Sequence, residues 1–531
     1  MKKHKILAFL IVICLLFSVI GCGENDKQAQ STDKVMRYSL TSSPASMDPT
    51  TTSELFSYYI VRQMYNGLTD RTPEGNLKPG LAEKWEMMDN GKRFRFTLTK
   101  GIKFHSGKEL TAKDVKYTFE SILDPGHKAG DGISFLTNIV GAEEVQEGKE
   151  NELKGFKILG DYKFEINLVE PDVCFPDYCA VECLYIVDGE AIKDKGDNWW
   201  ESFSAGTGPF KLKSYTRDQK IVFEANSEYW RGRPQIDELE IQIVPSEDTA
   251  LSMYEKGQLD MCDVPVGQLE RVKEDANLSK ELKSFPFANM SYLGFNHNLY
   301  APFKDKRVRQ AINLVIDRKK MTENIMAGAA YPLYGAIPVG FSCYDKDLPE
   351  IPYNPEQARE LLYQAGYDKN NPLPPLKLYC FPMDDTNGSY IISQLQRELG
   401  MEVELVLPDR AKILADLRNR QLAFFLFGCT ADYGDARTIL GSVFHSKGGR
   451  MNASQYSNSE FDKLLDQAAI IADSAERGKI YREAERVLMS DWACAPLYTD
   501  KSYVLIKPNV KDVPLSPLGL DTFERVKIQE G

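Results

Sequence analysis

The chain has 531 residues, 43% hydrophobic, 27% charged and 11% aromatic, with a formal net charge of −12 at pH 7. This apolar content excludes collagen-like, low-complexity and wholly disordered chains. The acidic balance, without an extended basic tract, argues against a nucleic-acid partner, whose phosphates need clustered Lys and Arg. At this length one hydrophobic core seldom suffices, so two or three lobes of roughly 100 to 250 residues are expected, with clefts between them.

The N-terminus reads as a targeting signal. Lys2, Lys3 and Lys5 precede the uncharged 15-residue run Ile6 to Ile20. Such a run rises about 22 Å as a helix, short of the roughly 30 Å hydrocarbon core, so it is a signal-peptide segment and not a span. It ends in Val19-Ile20-Gly21-Cys22, which resembles a bacterial lipoprotein lipobox. Residues 1–21 are then a lipoprotein signal peptide, and Cys22 is the lipidated first residue. Residues 22–34, polar or small, form a flexible tether reaching at most roughly 40 Å. Two or more acyl chains on Cys22 give stable anchoring, which places the protein outside the cytoplasm on the outer face of the cell membrane.

Downstream, Lys92 to Leu98 alternates, with Phe94, Phe96 and Leu98 on one face, and Tyr162 to Leu168 and Leu239 to Val244 do likewise, predicting half-buried strands. Thr111 with Asp114 forms a capping box for a helix whose stripe is Val115, Phe119 and Ile122, stopped at Asp124-Pro125-Gly126. Gly206-Thr207-Gly208-Pro209 lacks the third glycine of a dinucleotide fingerprint and reads as a tight turn into a strand. Val308, Ala311, Ile312 and Val315 share one helical face. Asn354-Pro355 starts a helix that Gly366 ends, and Ser459–Ala472 and Ala475–Met489 form a late helical pair. Strands and helices interleave throughout, so the class is α/β in more than one lobe.

Eight cysteines remain beyond the signal: 174, 179, 183, 262, 343, 380, 429 and 494. They show no small-domain framework and no paired C-x2-C zinc spacing, which predicts scattered buried thiols whose pairing stays open. No G-x-S-x-G elbow, H-E-x-x-H or G-x4-G-K-[ST] is present, so an enzyme is not expected. No cofactor or metal is expected either. His105 reads as structural, and Trp85 and Trp230 as packed side chains with a satisfied indole N–H.

Ten segments in order carry a resemblance. They include Met47-Asp48-Pro49, Tyr65-Asn66-Gly67-Leu68, Pro79 to Trp85, Phe94 to Val115, Gly206 to Phe210, Asn226 to Pro234, Gly257 to Asp260, Leu293 to Asn296, Pro302 to Ile312 and Tyr456 to Asp462. This pattern over residues 35–500 resembles the family 5 extracellular solute-binding proteins of ABC importers, of the oligopeptide- and dipeptide-binding type. The resemblance implies a two-lobed periplasmic-binding-protein-like fold with a hinge and an extra N-terminal domain inserted in the first lobe. Lobe I would comprise 35–66, 196–285 and 498–531, the extra domain 67–195, and lobe II 286–497.

The same resemblance implies a short-peptide ligand, permease subunits of an ABC importer as partners, and a monomer. The ligand site falls on Gly428-Cys429-Thr430-Ala431-Asp432-Tyr433, after the apolar run Leu422 to Phe427. Asp432 would take the α-ammonium, and Gly428 and Thr430 would offer backbone for strand addition. Ser53 and Leu55 would lie along the other side. Cys429 replaces a frequent Trp, which predicts a reshaped side-chain pocket, with Tyr433 beside it. Arg410, Arg418 and Arg420 could offer a fork to a ligand carboxylate. Alternatives within the family are a nickel-chelate, opine or oligosaccharide binder, with His445 the metal candidate, or a signalling-peptide receptor.

Overall fold

The computed structural model describes residues 34–72, 75–448 and 451–529, so the signal-peptide and Cys22 expectations lie outside the described residues. Among the described residues no helix is long and apolar enough to cross a membrane.

Strand β1 (Val35–Leu40) opens the described chain. A short antiparallel hairpin follows, β2 (Thr69–Arg71) with β3 (Leu77–Pro79). Next, β4 (Ala82–Met88), β5 (Arg93–Leu98), β6 (Phe156–Gly160) and β7 (Lys163–Asn167) form an antiparallel sheet in the order β4-β5-β7-β6. The period-two pattern of β5 buries Phe94, Phe96 and Leu98. They meet Val115, Phe119 and Ile122 of the helix Ala112–Leu123 in one core. Phe96 stacks on Phe164 at 5.3 Å and Phe156 on Phe164 at 4.8 Å. The capping box is formed, the Thr111 N–H donating to Asp114 Oδ2 at 2.8 Å.

Strands β8 (Phe210–Thr216), β9 (Lys220–Ala225) and β10 (Glu238–Ile243) build a second sheet on β1, ordered β1-β10-β9-β8. Here Gly206 and Gly208 matter for close approach. A Cβ at Gly206 would stand 2.0 Å from the Met64 carbonyl oxygen, and one at Gly208 2.3 Å from the Met64 carbonyl carbon. The Gly-Thr-Gly segment is therefore a backbone crossing that admits no side chain at either glycine.

The third sheet contains β11 (Met261–Asp263), β12 (Leu282–Pro286), β13 (Asn289–Phe295), β14 (Ala330–Pro332), β15 (Leu376–Tyr379), β16 (Val403–Val406), β17 (Phe424–Thr430) and β18 (Cys494–Ile506). Its main path runs β11-β18-β13-β17-β15-β16. The 13-residue β18 joins two bodies: Cys494 to Tyr498 pair with β13, whereas Val504 to Ile506 pair with β11. Where it crosses, the Asp500 N–H donates to Asn289 Oδ1 at 2.9 Å. The second crossing lies alongside, between β12 and β13.

Buried apolar residues gather in separate cores. One spans residues 68–186, one unites β1 and β8 to β10 with 504–526, and two cover the faces of β13 and β17. The eight cysteines of the described chain are buried free thiols. Since the 68–186 core packs on three stacked phenylalanines, Phe96→Ala is expected to cost about 3–5 kcal/mol. Urea unfolding followed by tryptophan fluorescence measures it.

Candidate functional site

Strand β17 pairs with β13 along its whole length, Phe424↔Phe295 to Thr430↔Asn289. On its other edge β15 reaches only Phe424 and Phe425. Among the described residues, Phe427 to Thr430 therefore keep a backbone edge without a ladder partner. Gly428 and Thr430 are exposed there, and Cys429, 7% exposed, turns into the core with Met290 and Tyr292. Alternation forces this outcome, because successive side chains of a strand point to opposite faces. Cys429 thus offers the open edge its backbone and not a side-chain pocket, and burial pushes its thiol up to about 12.

The strand ends in a loop clamped from both sides. The Ala431 N–H extends the ladder to the Ala288 carbonyl at 2.8 Å, and the Asp432 N–H donates to Thr438 Oγ1 at 3.2 Å. Tyr433 leaves the cleft and packs edge-to-face on Tyr178 at 5.2 Å, inside the 68–186 core. At Gly434 a Cβ would stand 2.4 Å from the Gly75 carbonyl oxygen. Asp435 pairs with Arg477 at 2.7 Å, and Arg437 reaches Asp172 across the seam at 3.0 Å. The Val173 N–H completes the seam on the Ala469 carbonyl at 3.0 Å.

Asp432, by contrast, has a solvent-exposed side chain. No Lys or Arg lies within 4 Å of its carboxylate among the described residues. Desolvation and the neighbouring Asp131 and Glu182 charges push it up to about 6, while Arg71 and the Thr438 hydroxyl act the other way. Those two acids belong to other segments of the chain. Asp131 is held by its N–H on the Thr52 carbonyl at 3.1 Å and by the Tyr58 hydroxyl at 2.9 Å. Glu182 takes Arg62 Nε at 2.5 Å. Desolvation raises Asp131 as well, with Arg418 opposing it. Ser53 and Leu55 are exposed beside Thr52, at the start of the helix Leu55–Met64 that Glu54 caps.

Of the anticipated residues, Gly428, Thr430 and Asp432 share one strand end and the loop after it, and Ser53 and Leu55 follow Thr52, whose carbonyl holds Asp131. Arg410 lies over the Phe381 ring at 5.4 Å and Arg418 is exposed near Asp131. His445 sits apart, against Asp466 at 3.3 Å. Asp131, Glu182 and Arg71 were not foreseen. They belong to loops and a hairpin whose sequence carries no charge pattern aimed at residue 432, and only the tertiary fold brings them there.

Residues 76–451 match the family model "Bacterial extracellular solute-binding proteins, family 5 Middle". The chain belongs to this family. Family 5 relatives include heme-binding protein A of Haemophilus influenzae, 30% identical, with 94% of this chain and 93% of that protein covered. Oligopeptide-binding protein OppA of Bacillus subtilis is 25% identical, with 98% of each chain covered. Among solved structures, HbpA2 from Haemophilus parasuis matches with a TM-score of 0.81 at 25% identity, covering 93% of this chain and 100% of that one. The family 5 fold is two-lobed and mixed α/β, and the role of this member is that of an extracellular solute-binding protein.

Because the folded state holds Asp432 above its ordinary range, it binds protons more readily than the unfolded chain. Stability contributed by this group falls as pH rises from about 4 through about 6. Asp432→Asn is therefore expected to raise the Tm of the ligand-free protein at pH 7.5 and to leave it unchanged at pH 4. Calorimetry at the two pH values checks this.

Proposed function

We propose that this protein captures short peptides for an ABC importer, anchored to the membrane through Cys22. The α-ammonium of the peptide sits at Asp432, and its first residues add as a strand to the open edge of Gly428, Cys429 and Thr430. One observation carries this reading: a carboxylate without a cation partner stands at the end of an unpaired strand edge, facing two more acids. A carboxylate next to like charges favours an incoming cation, and an ammonium relieves the repulsion that a neutral guest leaves in place. The edge supplies sequence-independent main-chain bonds, which every peptide can satisfy.

Family membership supports the importer role, and several relatives are named for peptides, among them dipeptide-binding protein DppE of Bacillus subtilis. We take lobe I as 35–66, 196–285 and 498–531, the extra domain as 67–195, and lobe II as 286–497. The bodies close about the paired crossings near Asn289 and Asp500. Closure changes the outer surface that a permease meets, and the lipid tether keeps delivery local. No catalysis is assigned to this site.

A free-amino tripeptide at 100 times its Kd is expected to stabilise the protein by about 2.7 kcal/mol. The N-acetylated form is expected to bind about 30-fold more weakly, equivalent to about 2 kcal/mol, and Asp432→Ala to erase that difference. Affinity for the free-amino peptide falls below about pH 6, as Asp432 takes a proton. Isothermal titration across pH 5 to 8 reads both effects. Equal affinity for the two forms contradicts the ammonium assignment.

A further inference from the structure

Asp177 lies on the short helix Phe175–Tyr178 and is 8% exposed. Among the described residues its carboxylate has no ion pair within 4 Å and accepts no hydrogen bond, although its main-chain carbonyl takes Arg71 Nη2 at 2.9 Å. The neighbouring acids are paired. Asp172 takes Arg437 at 3.0 Å and the Tyr178 hydroxyl at 2.8 Å, and Asp435 takes Arg477 at 2.7 Å and the Arg437 N–H at 3.0 Å. Burial, with the Asp435 and Asp172 charges, raises Asp177 to about 7 against the pull of Arg71 and Arg477. A buried carboxylate without donors is costly to ionise, so it calls for a partner that the chain itself does not supply.

A second polar atom stands in the same place. Tyr481, 1% exposed on the helix Ser474–Ser490, has a hydroxyl that feels the Asp435 charge and meets no partner at hydrogen-bond geometry. Asp177 and Tyr481 line one cavity of about 300 Å3, between the 68–186 core and the chain around Asp435 and Tyr481. It has room for about ten waters and lies at the small end of ligand sites. Trp85, Phe94, Val173 and Pro176 supply an apolar wall, and Asp432 is not among the lining residues. Exposed Ser342 and Ser474 also line it, so solvent reaches the space.

The lining selects a cation with an apolar body. Arg477, the one Lys or Arg among the described lining residues, is occupied: Nε donates to Asp435, and Nη1 to the Ile471 and Ala472 carbonyls at 2.7 and 3.1 Å. An anion therefore finds no free fork there. A bare metal ion fits no better, because the described residues hold no cluster of three His, Cys, Asp or Glu able to bind one. A primary ammonium brings three donors, which the Asp177 carboxylate and the Tyr481 oxygen can accept, and its carbon body covers the apolar wall. We infer that this seam cavity is a second binding site, which takes a small primary amine with an aromatic or branched apolar body, its ammonium between Asp177 and Tyr481. The inference is independent of the peptide reading. Because its walls belong to the 68–186 core and to the helix Ser474–Ser490, the occupant ties the two together across the seam.

The test titrates phenethylammonium and its neutral counterpart 2-phenylethanol into the full chain by calorimetry at pH 6 and pH 8. At pH 8 the amine is expected to bind about 10-fold tighter than the alcohol. It is also expected to bind more tightly at pH 8 than at pH 6, as Asp177 loses its proton, while the ligand stays charged because alkyl ammonium groups titrate at about 10. Asp177→Asn, which keeps the shape and removes the charge, should level the two ligands, and Tyr481→Phe should weaken the amine about threefold. Asp432→Ala should leave the amine's advantage intact. No binding of the amine by the unaltered protein, or equal affinity for amine and alcohol, overturns the inference without needing a variant to fold. An advantage that persists in Asp177→Asn overturns it too, and if that advantage vanishes in Asp432→Ala the amine sits in the ligand cleft and the peptide reading stands.

Discussion

An ionised carboxylate needs water, a cation or hydrogen-bond donors, and Asp432 has little of the last two. Its own loop gives it one hydroxyl, the facing wall gives it Asp131 and Glu182, and the nearest guanidinium binds its main-chain carbonyl instead. The free protein therefore holds a local excess of negative charge that the fold itself does not neutralise. Structural acids elsewhere are treated differently. Asp435 has Arg477, Asp345 has Arg486, and Asp114 caps a helix and takes Lys108. The exception at Asp432 is what the proposed function builds on, with a ligand ammonium as the missing partner.

The architecture ties this rim to the rest of the molecule. Strand β17 is anchored on β13, and β13 on β18, so the rim is continuous with the strands that cross between bodies. The loop after Asp432 is seized by the 68–186 core through Tyr433 and Tyr178, by Arg437 to Asp172, and by the near contact of Gly434 with Gly75. This seam buries Asp177 against Asp435, and desolvation and that like charge push Asp177 up to about 7. The loop after Asp432 is thus held against the 68–186 core by packing and by polar contacts.

Much of the scaffold was legible because it depends on periodicity and local chemistry. Phe94, Phe96 and Leu98 repeat every second residue, and the Thr111–Asp114 box and the Asn354 cap with Gly366 beyond it are signals a few residues long. The late helices are also as read, although the first stops at Ala468 and the second starts at Ser474, one residue after its Asp473 cap. The site was legible only on one rim, where a strand and the loop after it are contiguous in sequence. Cys429 illustrates the limit. Its identity suggested a pocket, whereas strand parity, which depends on where β17 enters the sheet, decided that it faces inward. Asp131, Glu182 and Arg71 lie hundreds of residues from Asp432, and nothing short-range in their segments encodes that meeting.

The central claim is that the Asp432 carboxylate carries unbalanced charge until a peptide ammonium neutralises it. Carbon-detected NMR of the Asp432 carboxyl, titrated with and without a saturating tripeptide, measures that directly. The account predicts a midpoint near pH 6 in the free protein, moving down when the peptide is bound. A midpoint that stays the same in both states would contradict it.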